Sequence, residues 1–275
     1  MQVSQHTPCR ALLPYIHTCW EIKHDLPPGA TLAVPFSCLG RSQFIFSLEN
    51  PYHCYKPGVG PMEISESTVF VQNALPYTKY FSGPSMAIGF ECTPTGLQTL
   101  WQLPVGELSE QSLDVTAVAN RGVRELTDRL REARSTAQRF ALLEQFLLRQ
   151  LARANWSKHL ATDGRIEAAV AAIQHDPAQI NLQQLAHYLN TSERTLRRRF
   201  AEVVGVSPKY YVRMQRFILA RHWLARQPQP NWQDILTLTG HYDQAHLINE
   251  FRYFIGTSPG QFTSQPAGMH DFIYQ

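Results

Sequence analysis

The sequence has no uncharged apolar stretch of the roughly 20 residues that a membrane-spanning helix needs. No charged segment followed by a clean apolar run opens it either, since Arg10, Pro14 and His17 interrupt the one candidate. A soluble, cytoplasmic protein is therefore expected. Cysteine is scarce: Cys9, Cys19, Cys38, Cys54 and Cys92 are odd in number, confined to the first third, and form no C-x-x-C pair. That spacing argues against a disulfide framework or structural zinc and for reduced thiols. Catalytic signatures are also missing, with no G-x-S-x-G, P-loop, H-E-x-x-H or G-x-G-x-x-G. His53-Cys54 with His17, Cys19 or Glu91-Cys92 is the one set of ligand types a fold can gather, and without an H-x-H or C-x-x-C pair it reads as ordinary core and surface. No catalytic residue, cofactor or metal is expected.

Charge of one sign is nearly absent from the chain as a whole, whose net charge is +3. Residues 190 to 226 nevertheless hold nine Lys/Arg against Glu193 and Glu202, a local +7, which leaves −4 for the rest. A basic block in a nearly neutral chain points to nucleic acid as a partner. With 44% hydrophobic residues the chain builds ordinary cores, so a disordered or collagen-like protein is excluded. Its 275 residues suggest two domains.

From residue 12 to about 104 Pro and Gly separate short β-branched and aromatic runs (Thr31 to Pro35, Gln43 to Leu48, Thr68 to Gln72, Met86 to Glu91), which predicts a β-rich barrel or sandwich. After Leu103-Pro104 the pattern turns helical. Two helices near 114–133 and 136–153, with Ser135 as the N-cap between them, form a helical hairpin. Residues 154–163 read as a polar linker, and 164–265 as an all-α domain. The expected fold is thus α+β in two domains, 1–153 and 164–265.

The second domain contains a repeat. A shift of 51 residues superposes SERTLRRRFAEVVGVSPKYY (192–211) on DQAHLINEFRYFIGTSPGQF (243–262), matching Leu196 with Leu247, Phe200 with Phe251, Gly205 with Gly256 and Ser207-Pro208 with Ser258-Pro259. In each copy Ser192 or Asp243 caps a helix, the Leu and Phe at i and i+4 make its buried stripe, Gly closes it, and Ser-Pro opens the next. Each copy follows a short helix and a tight turn, Leu182 to Leu189 and Trp232 to Thr239, which is the helix-turn-helix plan. A helix from about Pro208 to Arg226, with Tyr210, Met214, Phe217 and Leu224 on one face, joins the two units.

At 100° per residue, with Leu196 at 0°, Arg194 falls at about 160° and Arg198 at about 200°, opposite the core stripe, while Arg197 and Arg199 flank that face. The same projection about Leu247 sends Ala245, Asn249 and Arg252 outward, with Gln244 and His246 near the helix start. These side chains suit a major groove: Arg forks to guanine, Asn and Gln to adenine, Ala to a thymine methyl. Arg194, Arg198, Gln244, Ala245, His246 and Asn249 are the candidate base contacts, and Arg197, Arg199 and Arg252 the candidate phosphate contacts. The second unit is not basic, since residues 227 to 275 carry Arg252 against Asp234, Asp243, Glu250 and Asp271.

Residues 165 to 262 resemble the C-terminal domain of AraC-type transcription regulators. The pattern is S-x-x-x-L-x-x-x-F, G-x-S-P, a linker helix with Arg216, Ala220 and Leu224, then G-H-Y-D-Q-x-H-x-x-x-E-F-R and G-x-S-P. The resemblance implies double-stranded DNA as partner, with Arg194, Arg198, Ala245 and Asn249 at base edges. Ala186 follows the family's small-residue position in the first helix of a unit, and Leu236 departs from it. The first 153 residues more loosely resemble the β-rich input domain of one AraC subgroup, through LLPYIHTCW (12–20), IGFECTPTG (88–96) and LPVGELSEQ (103–111), with Pro35-Phe36-Ser37 where that subgroup tends to show Pro-Asp-Gly. The resemblance names no ligand.

Trp20, Phe44, Phe46, Tyr52, Phe70, Tyr77 and Phe81 are the candidates to line an effector pocket, against the plainer reading of core aromatics. The expected function is a sequence-specific DNA-binding transcription regulator, activator or repressor, that senses an effector or partner. The alternative is a barrel enzyme with an appended helical scaffolding module. Besides DNA, the candidate partners are a small-molecule effector, RNA polymerase and a second copy of the chain, paired through the apolar faces of 114–153.

Overall fold

The computed structural model of the protein describes residues 1–27, 29–36, 40–56, 60–62, 64, 66–71, 77–108, 112–119, 122–156, 164–226 and 231–264. The N-terminal part runs β1 (Gln2–His6), β2 (Ile16–His24), β3 (Thr31–Phe36), β4 (Gln43–Glu49), β5 (His53–Lys56), β6 (Gly60–Met62), β7 (Ser67–Phe70), β8 (Tyr77–Ser82) and β9 (Ser85–Cys92). Then come α1 (Gly96–Trp101), α2 (Val105–Leu108), β10 (Ser112–Asp114), α3 (Val115–Ala119), α4 (Val123–Glu132) and α5 (Thr136–Trp156). The strands form two antiparallel sheets, β1-β2-β9-β4-β7-β10 and β3-β8-β5-β6. The sheets do not close on each other, so of the two expected architectures the barrel is corrected to a sandwich-like pair of open sheets.

The larger sheet is covered on both faces, and strand alternation decides what each side chain meets. On β4, Phe44 and Phe46 point to one core together with Ile88, Phe90, Leu126, Leu143 and Leu147 beneath the helices. Ile45, between them, points to the second core with Trp20, Ile22, Phe70, Tyr77 and Phe81, enclosed by the smaller sheet.

The helical hairpin differs from expectation in its first arm. Gly122, the one glycine of the stretch, takes φ +115 and starts α4, so a single helix over 114–133 is replaced by α3 and α4. Ser135 accepts a hydrogen bond from the Gln138 amide (3.2 Å) at the start of α5, as a cap should. The hairpin is locked to the sheet by a buried ion pair: Arg139 donates through Nη2 to Glu21 Oε1 (3.0 Å), and Thr136 Oγ1 donates to the same oxygen (2.7 Å). Val115, Val123, Leu126, Leu130, Phe140, Leu143, Phe146 and Leu147 are all buried in the chain's own core. Much of the apolar face of the hairpin thus packs within the chain, and among the described residues Leu148 is exposed on α5. Of the expected linker, residues 154–156 continue α5 and 157–163 lie outside the described residues.

The C-terminal part is helical throughout: α6 (Gly164–His175), α7 (Leu182–Tyr188), α8 (Glu193–Val204), α9 (Pro208–Arg226), α10 (Trp232–Thr239), α11 (Gln244–Ile255) and α12 (Pro259–Ser264). Leu196, Phe200, Phe217, Leu247, Phe251 and Phe254 are buried in one shared core. Among the described residues no helix is long and apolar enough to cross a membrane.

Candidate nucleic-acid interface

The two units are built by the same local chemistry. Ser192 Oγ accepts the Thr195 amide (3.2 Å) and Asp243 Oδ1 the His246 amide (2.7 Å), so each recognition helix starts on a satisfied N-cap. Gly205 (φ +88) and Gly256 (φ +75) end α8 and α11 in the left-handed conformation that side chains avoid. Ser207 and Ser258 then cap α9 and α12, accepting the Tyr210 and Gln261 amides at 3.2 and 3.3 Å.

With the stripes Leu196–Phe200 and Leu247–Phe251 buried, the opposite faces are exposed. On α8 these are Arg194, Arg197 and Arg198, with Arg199 half-buried; on α11 they are Gln244, Ala245, His246, Asn249 and Arg252. The structure thus groups the candidate contacts on two outward helix faces. Their surroundings differ. Arg198 donates to Glu202 Oε1 (2.9 Å) and Arg199 to Glu202 Oε2 (2.8 Å), so one carboxylate holds two arginines of α8. These are exposed pairs, worth little in stability and readily exchanged for a phosphate.

Three further residues position the units: the sequence pattern included Arg216 and His241 without giving them a role, and Arg213 stood only within the basic block. Arg216, on the linker helix α9, donates to the carbonyls of Pro177 (2.7 Å) and Ala178 (2.9 Å) beside the first unit and of Gly240 (3.3 Å) in the turn of the second. One planar guanidinium therefore ties both units to the strut. Arg213 grips buried Glu250 of α11 through Nε, at 2.7 and 2.8 Å from its two oxygens, and lies 4.3 Å from the centre of the Tyr253 ring. His241 is buried, and its Nδ1 is 2.6 Å from Thr239 Oγ1, whose own proton goes to the Ile235 carbonyl. Thr239 must accept there, so His241 carries its proton on Nδ1. Burial first, then the nearby charges of His246 and Arg216, lower its pKa to about 4, so it is neutral near pH 7. A cleft lined by Lys209, Arg213, Arg216 and His246 separates the N-terminal ends of α8 and α11.

The seven aromatics proposed for a pocket are not gathered around one cavity. Trp20, Tyr52 and Phe81 line a small space between the two sheets together with His24, Ser47, Lys79 and Ser85. Phe44 and Phe46 are corrected to the opposite face of the sheet, as alternation along β4 requires. Phe70 and Tyr77 stack on each other (5.0 Å) as core. The cavity has room for about one water, which suits the buried polar atoms Trp20 Nε1, His24 Nε2, Ser47 Oγ and Ser85 Oγ that point to no other partner. Among the described residues no three His, Cys, Asp or Glu side chains are grouped to hold a metal ion.

Residues 185–265 match a helix-turn-helix domain family, and residues 4–114 match a domain family of unknown function, DUF6597. The chain is 31% identical over 127 residues, 46% of its length, to the HTH-type transcriptional activator RhaS of Escherichia coli O139:H28, and it spans about half the length of the curated relatives it matches (45% of RhaS). Among solved structures, ToxT from Vibrio cholerae aligns over 89% of this chain and 97% of its own at 10% identity, with a TM-score of 0.49. The DNA-binding domain of AdpA, solved with a target DNA, aligns over 36% and 89% at 26% identity, with a TM-score of 0.33. With two capped helix-turn-helix units on one linker helix, residues 185–265 form a helix-turn-helix domain of the matched family, and a β-rich domain precedes it.

Proposed function

We propose that the protein is a sequence-specific DNA-binding transcription regulator whose two units enter successive major grooves. The observation that carries this reading is the pair of exposed faces opposite the core stripes, Arg194 and Arg198 on α8 and Gln244, Ala245 and Asn249 on α11, held on one strut by Arg216. Arg197, Arg199 and Arg252 flank these faces as phosphate contacts. The relatives' designation as transcriptional activators agrees with it. A scaffolding module on an enzyme would need an apolar or mixed face where these arginines stand. The β-rich domain is read as the input, taking a small-molecule effector or a partner such as RNA polymerase. A second copy of the chain, paired through 114–153 where Leu148 is exposed, belongs to the same reading.

Footprinting tests the reading. Two units in adjacent grooves about 34 Å apart should protect an asymmetric site of roughly 20 base pairs per chain. A single short protected region of about 5 base pairs, the reach of one recognition helix, would contradict it.

A further inference from the structure

Helix α2, within the LPVGEL stretch (103–108), is not among the candidate DNA contacts, yet it has a specific neighbour. Helix α2 lies against the backbone of α8: a Cβ built on Gly106 would sit 2.8 Å from the Ala201 carbonyl oxygen and 3.5 Å from Glu202 Cα. Only glycine permits so close an approach of two backbones. Val105, the preceding residue, is 1% exposed in the core of the β-rich domain, so α2 is anchored there on one side and rests on α8 on the other. Gln98, Gln102 and Glu107 face Arg198, Arg199 and Glu202 across the cleft beside this contact. A second glycine meets the linker helix: at Gly40 (φ +81) a Cβ would collide with the end of the Met214 side chain.

The place of this contact on α8 gives it a consequence. With Leu196 at 0°, Ala201 lies at about 140° and Glu202 at about 240°, on either side of Arg198 at about 200°. A B-form major groove about 12 Å wide admits one helix of about 10–12 Å diameter. It does not admit that helix with a second one stacked on the same face.

We propose that α2 and DNA compete for the Arg198–Glu202 turn of the first recognition helix, so that the β-rich domain holds the first unit out of the groove until α2 leaves. The proposal rests on the DNA-binding reading above. Arg198 and Arg199 are reachable beside α2, and its departure clears the room that a groove wall needs before they exchange their shared carboxylate, Glu202, for phosphate and base. An input signal acts by breaking one small backbone contact.

A reversible cross-link tests this in the full chain. Gly106→Cys and Glu202→Cys are combined with Cys9→Ser, which removes an exposed native thiol. The built Cβ at 106 lies 3.5 Å from Glu202 Cα. A disulfide, whose Cβ atoms stand about 3.5–4.5 Å apart, therefore draws the contact closed once the Ala201 carbonyl gives by a few tenths of an ångström. The larger Leu side chain would widen that clash with no bond to close it. On a duplex selected by the wild-type chain, the oxidised protein should bind about tenfold more weakly than the same protein after reduction, the ordinary scale of coupling between two sites. Equal binding of the two forms, or failure of the pair to cross-link, overturns the proposal. Gly106→Leu, which wedges the contact apart without a lock, should bind about threefold more tightly than wild type, and unchanged or weaker binding by a folded Gly106→Leu protein also counts against it. If the reduced protein and the wild type bind no duplex at all, it is the DNA-binding reading that fails.

Discussion

The two helix-turn-helix units share a skeleton and differ in almost everything laid on it. Both bury a Leu and a Phe four residues apart, both start on a capping oxygen, and both end on a left-handed glycine. The first lies in a segment of local charge +7 and meets the β-rich domain. The second carries Asn, Gln and His on its outer face, lies in a segment with one arginine against four acids, and holds a buried neutral histidine. The comparison teaches that packing constrains one face of each helix and leaves the opposite face to be set by the partner. The first unit is suited to strong electrostatic attachment and control. The second is suited to reading by neutral hydrogen bonds.

The largest expected effect tests the shared skeleton. Phe200→Ala and Phe251→Ala, both at 0% exposure, should each destabilise the C-terminal domain by about 3–5 kcal/mol. Urea unfolding of the two variants should give similar losses, and a loss confined to one unit would show that the two cores are not equivalent.

The next effect separates the units by pH. The second unit's His241 is neutral in the fold down to about pH 4, whereas the unfolded chain takes up the proton below about 6.5. Stability should therefore be flat above pH 7 and decline as pH falls from about 6.5 to about 4, by about 3 kcal/mol in total. His241→Phe should remove its own share of that decline and leave the smaller share of His222 on α9, whose pKa burial and Arg226 also lower. The first unit has Asn190 at the matching position and contributes no such slope.

The smallest effects sharpen the contrast in DNA recognition. Arg198→Ala or Arg194→Ala should cost about 1–3 kcal/mol on the preferred site and relax base preference in one half alone, and Asn249→Ala should do the same in the other half. Arg197→Ala and Arg199→Ala should weaken all sequences alike and lower the salt slope by about one. Equal losses on specific and random DNA for Arg198→Ala and Arg197→Ala would erase the distinction drawn between them.

The repeat made the C-terminal domain legible, because caps, stripe and closing glycine are all set within twelve consecutive residues of each helix. The N-terminal domain was less legible. The four runs rich in β-branched and aromatic residues are strands, but β1 with its polar QVSQH, and β5, β6 and β10 of three or four residues, have no periodicity to reveal them. The aromatic cluster misled for a related reason: Phe44 and Phe46 differ from Ile45 in face, and composition alone does not say which face meets a cavity. Arg216 and Glu250 were visible as residues, but nothing local to them names the carbonyls of Pro177 and Gly240 or the guanidinium of Arg213 as their partners.

By itself the sequence determined the two helix-turn-helix units, the strut between them and the side chains turned outward, because capping and helical spacing act over a few residues and leave their mark there. Only the tertiary structure decided that the hairpin's apolar faces close on the β-sheet, that Arg216 binds both units to α9, and that Gly106 lies on the backbone of the first recognition helix. These contacts join residues from 24 to more than 90 positions apart. They depend on how whole elements stack, and no short-range pattern records that.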